Sequence, residues 1–417
     1  MSTQAVVKYL RMSETEPLPK TLDDTVTLSR ELREDGQIDG QVKLYNVEDD
    51  NEFESDAELF FDRTLMTQGL REALTILRDS LTGDDPRGTH ILYGPYGSGK
   101  SHQMVALYHC FDAPAAAADW ASDSVDGFES ALPDNATSIT VAMQNEQYEY
   151  LWEPFFDALD YDPGTFESGG YPDMQTIQDA VGDETVAFFV DELEDWFDTL
   201  QGDRKSSNKA FLQSLLESTA LSDLDLYTIV SVLREGSEVH DILNREQAVE
   251  VNMNNQVDKR EVLRHRLIDD IDESAAREIV NGYFDAYDQS DHVTLPDDLL
   301  ADMHDLYPFH PVLLDALETR YYADEGNQNT RGMIYLFSKV LLEMQDQTDL
   351  ITHGDIDAIE FENELAKINY ERLNAATGDI QNRVDTDDVP HGRRVLNTIL
   401  LYSLKPSEGK GLMYRRS

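Results

Sequence analysis

The chain has 417 residues, 83 acidic against 33 basic, giving a formal charge of −50 at neutral pH, with 40% hydrophobic and 9% aromatic residues. That length argues for two or three domains with sizeable cores, and no run of about 18 apolar residues marks a membrane span. The single cysteine, Cys110, excludes an intramolecular disulfide framework and a cysteine-rich zinc site, and it reads as a small buried apolar residue.

The acids are spread along the whole chain, in "TLDDT", "EDDNEFESDAE", "LIDDIDESA", "LPDDLLADMHD" and "RVDTDDVPHG", instead of forming one tail. That distribution is the surface of a protein kept soluble in strong salt, as in halophiles, where screening removes self-repulsion. Net charge therefore neither supports nor excludes DNA as a partner. The first 30 residues lack the basic, apolar, small-residue order of a secretory signal, so the expected location is cytoplasmic.

Residues 1–56 read as an irregular N-terminal segment with one or two short strands near "GQVKLYNV" (40–47). In residues 57–83, Leu65, Leu70, Leu74, Leu77 and Leu81 mark an amphipathic helix whose lead-in, "FFDRTLMT", is a loop placed for nucleotide-base contact. "THILYG" (89–94) is a short β-branched and apolar run, the kind that forms a strand buried on both faces. It leads into Gly94, Pro95, Tyr96, Gly97, Ser98, Gly99, Lys100 and Ser101, the G-x-x-x-x-G-K-S spacing of a phosphate-binding loop. From there Met104, Val105, Leu107, Tyr108 and Phe111 fall roughly on one helical face. Strand, loop and helix thus follow in the order the motif requires.

The residue types suit ATP. Glycines at 94, 97 and 99 allow backbone angles closed to other residues, so successive N–H groups can turn toward phosphate oxygens. The helix start, from Lys100 through His102, adds its unpaired N–H groups and positive dipole end. Lys100 then reaches the β- and γ-phosphates, and the Ser101 hydroxyl ligates Mg²⁺. A Gly-rich turn that is merely tight is the competing reading, and it accounts for neither the Lys-Ser pair nor the flanks.

Four more strands are expected at 138–144, 185–192, 226–233 and 248–253, separated by helical or loop material. Such alternation argues for a parallel sheet covered by helices, over about 57–271. The segment "VAFFVDELEDWF" (186–197) ends its apolar run in Asp191 and Glu192. Asp191 would hold the metal and Glu192 would orient and deprotonate water, while Glu194 and Asp195 read as surface acids. A solvated acidic turn is the alternative. At the end of the next strand, Ser231 and Arg234 stand where a polar side chain would meet the γ-phosphate, or else are structural. Arg245, in "ILNREQ", is a candidate arginine finger for a neighbouring subunit.

Residues 272–417 read as helices only, with capping signals at Asp272 with Glu273 and at Pro296 with Asp297 and Asp298. In "NQNTRGMIYLFSKVL" (327–341), Asn329 or Thr330 would cap a helix whose first turn carries Arg331. A cation gains nothing from that end of the helix dipole, so Arg331 facing a phosphate makes better sense of its place than a surface ion pair does.

These features together resemble the AAA+ ATPases: a Gly-Lys-Ser loop, an Asp-Glu strand end, a polar fourth-strand end and an arginine opening a lid helix. The strings "FFDRTLMTQGLREAL", "YGPYGSGKSHQMVALYH", "YPFHPVLLDALETRY" and "NTRGMIYLFSKVL" resemble the large ATPases of prokaryotic anti-phage islands, including bacteriophage-exclusion (BREX) and phage-growth-limitation systems. The resemblance covers about 57–400. It implies an α/β P-loop NTPase fold of the additional-strand, AAA+-like kind followed by an all-helical lid domain. It further implies ATP and Mg²⁺ as ligands, homo-oligomerisation, and work beside a DNA methyltransferase or other defence components. Lys100, Ser101, Asp191 and Glu192 carry over as the ATP site, and Arg331 as the sensor of the lid. ATPases of that kind are longer, so this chain is expected to be a fragment, a truncated product or a reduced relative. Two other functions fit the same motifs: a nucleotide-gated interaction module with little turnover, and an origin-recognition-like initiator, although no helix-turn-helix or winged helix is evident after residue 340.

Overall fold

The structure, a computed structural model, describes residues 20–36, 38, 40–94, 96–143, 148–167, 169–221, 223–245, 249–252, 259–290, 295–317, 329–361 and 392–404, with a few positions between 361 and 392. Its strands are β1 (Val26–Leu28), β2 (Thr89–Tyr93), β3 (Thr137–Ala142), β4 (Val186–Asp191), β5 (Leu226–Val232), β6 (Val249–Asn252) and β7 (Ile268–Ile271). The chain divides into two compact units, Gln41–Asp258 and, together, Met1–Gly40 with Lys259–Ser417.

The first unit is built on a five-stranded sheet in the order β3-β4-β5-β2-β6, every pair parallel. β4 and β5 are buried along their whole length, which is why they read as continuous apolar runs rather than alternating ones. The two faces still separate by parity. Val186, Phe188 and Val190 pack with Phe155, Phe211 and Leu215 on one side. Ala187 and Phe189 pack with Met104, Leu107 and Phe111 of the helix Lys100–Asp112 on the other. Burying these faces, at about 1.5–3 kcal/mol per large side chain, holds the strand ends in register where the phosphate loop leaves β2.

The expected strands at 89–94, 138–144, 185–192, 226–233 and 248–253 are present within two residues at each end. The region near 40–47 differs: residues Leu44–Glu48 form a 3-10 turn instead of a strand. Leu44 and Val47, three apart, point together into the apolar cluster of the phosphate-loop helix, and the buried Glu54 carboxylate accepts from Lys43 N at 3.0 Å and Asn46 Nδ2 at 3.2 Å. No sheet edge is needed to satisfy those groups. Residues 57–83 are two helices, Ala57–Asp62 and Gln68–Thr82, so the loop is 63–67 rather than the expected 60–67: Phe60 and Phe61 are buried on the first helix, and Leu65 lies in the loop instead of on the amphipathic helix.

In the second unit, the helices Lys259–Leu267, Glu273–Asp288, Leu299–Asp305, Pro311–Ala316, Asn329–Met344 and Gly392–Leu404 surround one apolar cluster. Asp272 caps its helix as expected, accepting from Ser274 N and Ala275 N at 3.0 Å each; Asp298 occupies the cap position of the next but makes no capping bond. Asn329 opens its helix rather than preceding it. The unit is not helical throughout, because β1 and β7 pair antiparallel. Leu22, Val26, Leu28, Leu32 and Ile38 lie in its core with Phe309, Met333 and Phe337. The two compact units meet at 40/41 and 258/259, where the sequence suggests domain limits at 56/57 and 271/272; residues 20–40 lie in the helical unit and 41–56 in the sheet unit. Among the described residues no helix is long and apolar enough to cross a membrane.

Candidate functional site

The site grows from the C-terminal ends of β2, β4 and β5. Gly94 donates its N–H to Val232 O at 3.2 Å, tying the start of the loop to the end of β5. Gly97 and Gly99 take φ of 74° and 94°, in the left-handed region where an L side chain is strained. Glycine at these two positions is what lets the loop turn beneath the helix. No side chain caps that helix at Gly99, leaving its first N–H groups in the arrangement an anion completes. Ser98 Oγ is buried without a hydrogen-bond partner among the described residues, a costly state for a hydroxyl that a ligand oxygen relieves. Lys100 Nζ donates to Gly94 O at 2.6 Å. Burial lowers the pKa of its ammonium, and the carboxylates of Asp191, Glu192, Glu194 and Asp195 oppose that shift. Pro95 lies outside the described residues.

Strand parity explains what faces this loop. Positions 187 and 189 of β4 and 227 and 229 of β5 point toward the phosphate-loop helix, and Asp191 and Ser231 continue those two series. Ser101 Oγ accordingly donates to Asp191 Oδ2 at 2.8 Å. The Ser231 hydroxyl donates to Asp191 Oδ1 and accepts from Glu192 N at 3.0 Å. Had β4 run on straight, Glu192 would have turned to the opposite face. Instead it adopts φ 57° and ψ 29°, an uncommon conformation for a residue with a Cβ, and the chain swings directly into the helix Leu193–Thr199. Burial raises the Glu192 pKa, Asp191 and Asp195 raise it further, and Lys100 lowers it.

Glu194 is not a surface acid. It is 2% exposed, and its carboxylate accepts from Leu233 N at 2.9 Å, Arg234 N at 3.1 Å and Arg234 Nε at 2.7 Å, clamping the chain as it leaves β5. Arg234 is thereby turned onto Glu194 and Asp198. Asp195 accepts a hydrogen bond from Tyr96 Oη, across the mouth of the loop. His102 Nε2 meets Thr64 Oγ1 at 2.9 Å, while the Thr64 hydroxyl donates to Phe60 O at 2.6 Å. The loop at 63–67 is thus tethered to the phosphate-loop helix. The roles of Glu194 and Thr64 had no signal in the sequence, where one acid among 83 and one threonine in a loop look like any other.

The structure brings together Lys100, Ser101, Asp191, Glu192 and Ser231. Arg245 ends the helix Glu238–Arg245 of the same unit and is exposed. Arg331 lies in the first turn of Asn329–Met344, in the other unit. Cys110 is buried, its thiol pKa pushed up by desolvation, and serves packing. Among the described residues no three His, Cys, Asp or Glu side chains could cage a metal by themselves. The Ser101–Asp191 pair suits Mg²⁺ nonetheless, because that ion takes few protein oxygens and completes its shell with waters and phosphate oxygens.

A parallel sheet in the order β3-β4-β5-β2-β6 has the phosphate loop after β2, a carboxylate pair after β4 and an added strand between them. That arrangement defines the P-loop NTPase fold of the additional-strand, AAA+-like class. Within that class, residues 29–149 match the DUF499 N-terminal domain and residues 254–366 the DUF499 second domain, so two successive domains of this family's type lie along the chain. None of the curated proteins compared with the chain matches it. Similar solved structures include ORC1 of Aeropyrum pernix in complex with DNA, 12% identical over 86% of this chain and 81% of that one, with a TM-score of 0.37. The AAA domain of FIGL-1 is 13% identical over 82% of this chain and 81% of its own, at 0.32. NtrX of Brucella abortus in complex with ATP is 14% identical over 82% and 70%, at 0.30.

Proposed function

We propose that this protein binds and hydrolyses Mg²⁺–ATP and uses the cycle as the motor or switch of an oligomeric phage-defence complex acting on or near DNA. The observation that carries the catalytic half is the hydrogen-bonded series Ser101, Asp191, Ser231 and Glu192, which joins the phosphate loop to the ends of β4 and β5. In this reading the loop and Lys100 hold the phosphates, and Ser101 with Asp191 hold Mg²⁺. The metal, when bound, supplies charge neutralisation at the phosphate oxygens. Glu192 positions the attacking water and takes its proton, and its raised pKa makes it a better base than an ordinary surface carboxylate. Ser231 holds the carboxylate turn, Arg234 steadies it through Glu194, Arg331 couples the γ-phosphate to the lid, and Arg245 serves a neighbouring subunit.

The defence role rests on the resemblance of the loop and lid strings and on the DUF499 matches. A DNA methyltransferase is the partner this reading favours, in the cytoplasm of a cell rich in salt, where the acid excess is an adaptation of the surface.

The test is ATP hydrolysis by wild type and Glu192→Gln in high potassium chloride with Mg²⁺, with and without double-stranded DNA, over a range of protein concentrations. Turnover should rise with concentration or DNA and fall by about 10²- to 10⁴-fold in the variant, which keeps its ATP binding. ATP bound tightly by both proteins and hydrolysed by neither would sink the hydrolytic reading in favour of a nucleotide-gated interaction module.

A further inference from the structure

Tyr96 is the one large aromatic side chain of the phosphate loop, 44% exposed, yet it is not loose. Its hydroxyl donates to a carboxylate oxygen of Asp195 on the helix that follows Glu192. Its ring lies over the Lys100 ammonium, 5.7 Å from Nζ to the centroid, within the range of a cation–π contact. The same phenol therefore touches the cation that receives phosphate and an acid one helical turn beyond the proposed base. Asp195 is close enough to act on both ends of the site, favouring the charged form of Lys100 and disfavouring that of Glu192.

We infer that Tyr96 and Asp195 form a latch across the mouth of the phosphate loop that tunes the preference for a nucleoside triphosphate over a diphosphate. The inference rests on the ATP-binding reading above. A polyphosphate drawn to Lys100 adds negative charge where Asp195 already stands, and the triphosphate brings more charge than the diphosphate, so Asp195 opposes it more. The Tyr96 hydroxyl is the compensating donor: it hydrogen-bonds the Asp195 carboxylate while the loop is empty and can pass its hydrogen bond to a phosphate oxygen when the loop fills. The two residues thus pull the preference in opposite directions.

Dissociation constants for ATP and for ADP, each with Mg²⁺, are measured by equilibrium titration on wild type, Tyr96→Phe, Asp195→Asn and the double variant, with melting temperatures as a folding control. Asp195→Asn keeps an oxygen acceptor and loses the charge, so ATP should gain about three- to tenfold on ADP. Tyr96→Phe keeps the ring and loses the donor, so ATP should lose ground by a similar factor, and that loss should shrink when Asp195 is already Asn. Raising the salt should compress the Asp195→Asn effect. If wild type binds both nucleotides and the ATP-to-ADP ratio stays within about twofold in both single variants, the latch is overturned while the ATP site stands. If wild type binds neither nucleotide, the ATP-binding reading falls and the latch with it.

Discussion

At the scale of single residues, the site turns on one hydroxyl. Ser231 Oγ satisfies Asp191 Oδ1 and Glu192 N together, and Glu192 holds its left-handed backbone at that point. Ser231→Ala removes one bond from each of Asp191 Oδ1 and Glu192 N, which keep the 3.0 Å bond they make to each other; because the lost acceptor is a carboxylate, the loss is about 1–3 kcal/mol. If it falls on the transition state, kcat should drop about 5- to 100-fold with ATP affinity nearly unchanged. Steady-state hydrolysis beside equilibrium titration separates the two, and equal losses in kcat and affinity would mean that Ser231 shapes the ground-state site instead. The sequence placed Ser231 near the end of its strand, because the largely apolar run 226–233 closed by Arg234 is a local pattern. It could not reveal that the hydroxyl faces Asp191, since that depends on the pairing of β4 with β5.

Among the elements, the five strands of the parallel sheet were legible because each is an apolar or alternating run between polar turns. β1 and β7 were not. β1 has three residues, and β7, "IDDI", carries two exposed acids, so neither shows an apolar pattern; they exist because each supplies the other's hydrogen bonds, about 240 positions apart. Leu28, 5% exposed in the helical unit's core, tests this pairing. Leu28→Ala should cost about 2–4 kcal/mol and lower the melting of the helical unit alone. All three tryptophans, Trp120, Trp152 and Trp196, lie in the sheet unit, so circular dichroism should show an earlier transition while tryptophan fluorescence keeps its midpoint. A shift confined to the fluorescence would contradict the assignment of residues 20–40 to the helical unit.

For the whole molecule, the governing quantity is a charge of −50, which opposes compaction unless screened. Raising potassium chloride from about 0.1 M to about 1 M shortens the screening length from about 10 Å to about 3 Å. The melting temperature should rise by about 5 °C or more across that range in scanning calorimetry; a flat or falling one would remove salt adaptation as the reason for the acids. Composition, the alternation of strands with helices and the nucleotide motif were all decided by the sequence itself, because apolar period, glycine spacing and the Lys-Ser pair act over a few neighbouring residues. The tertiary structure alone decided which unit residues 20–40 join, that Glu194 is a buried clamp, and that Tyr96 reaches Asp195. Each of these depends on partners brought close only by sheet order and packing, and no pattern along the chain records such proximity.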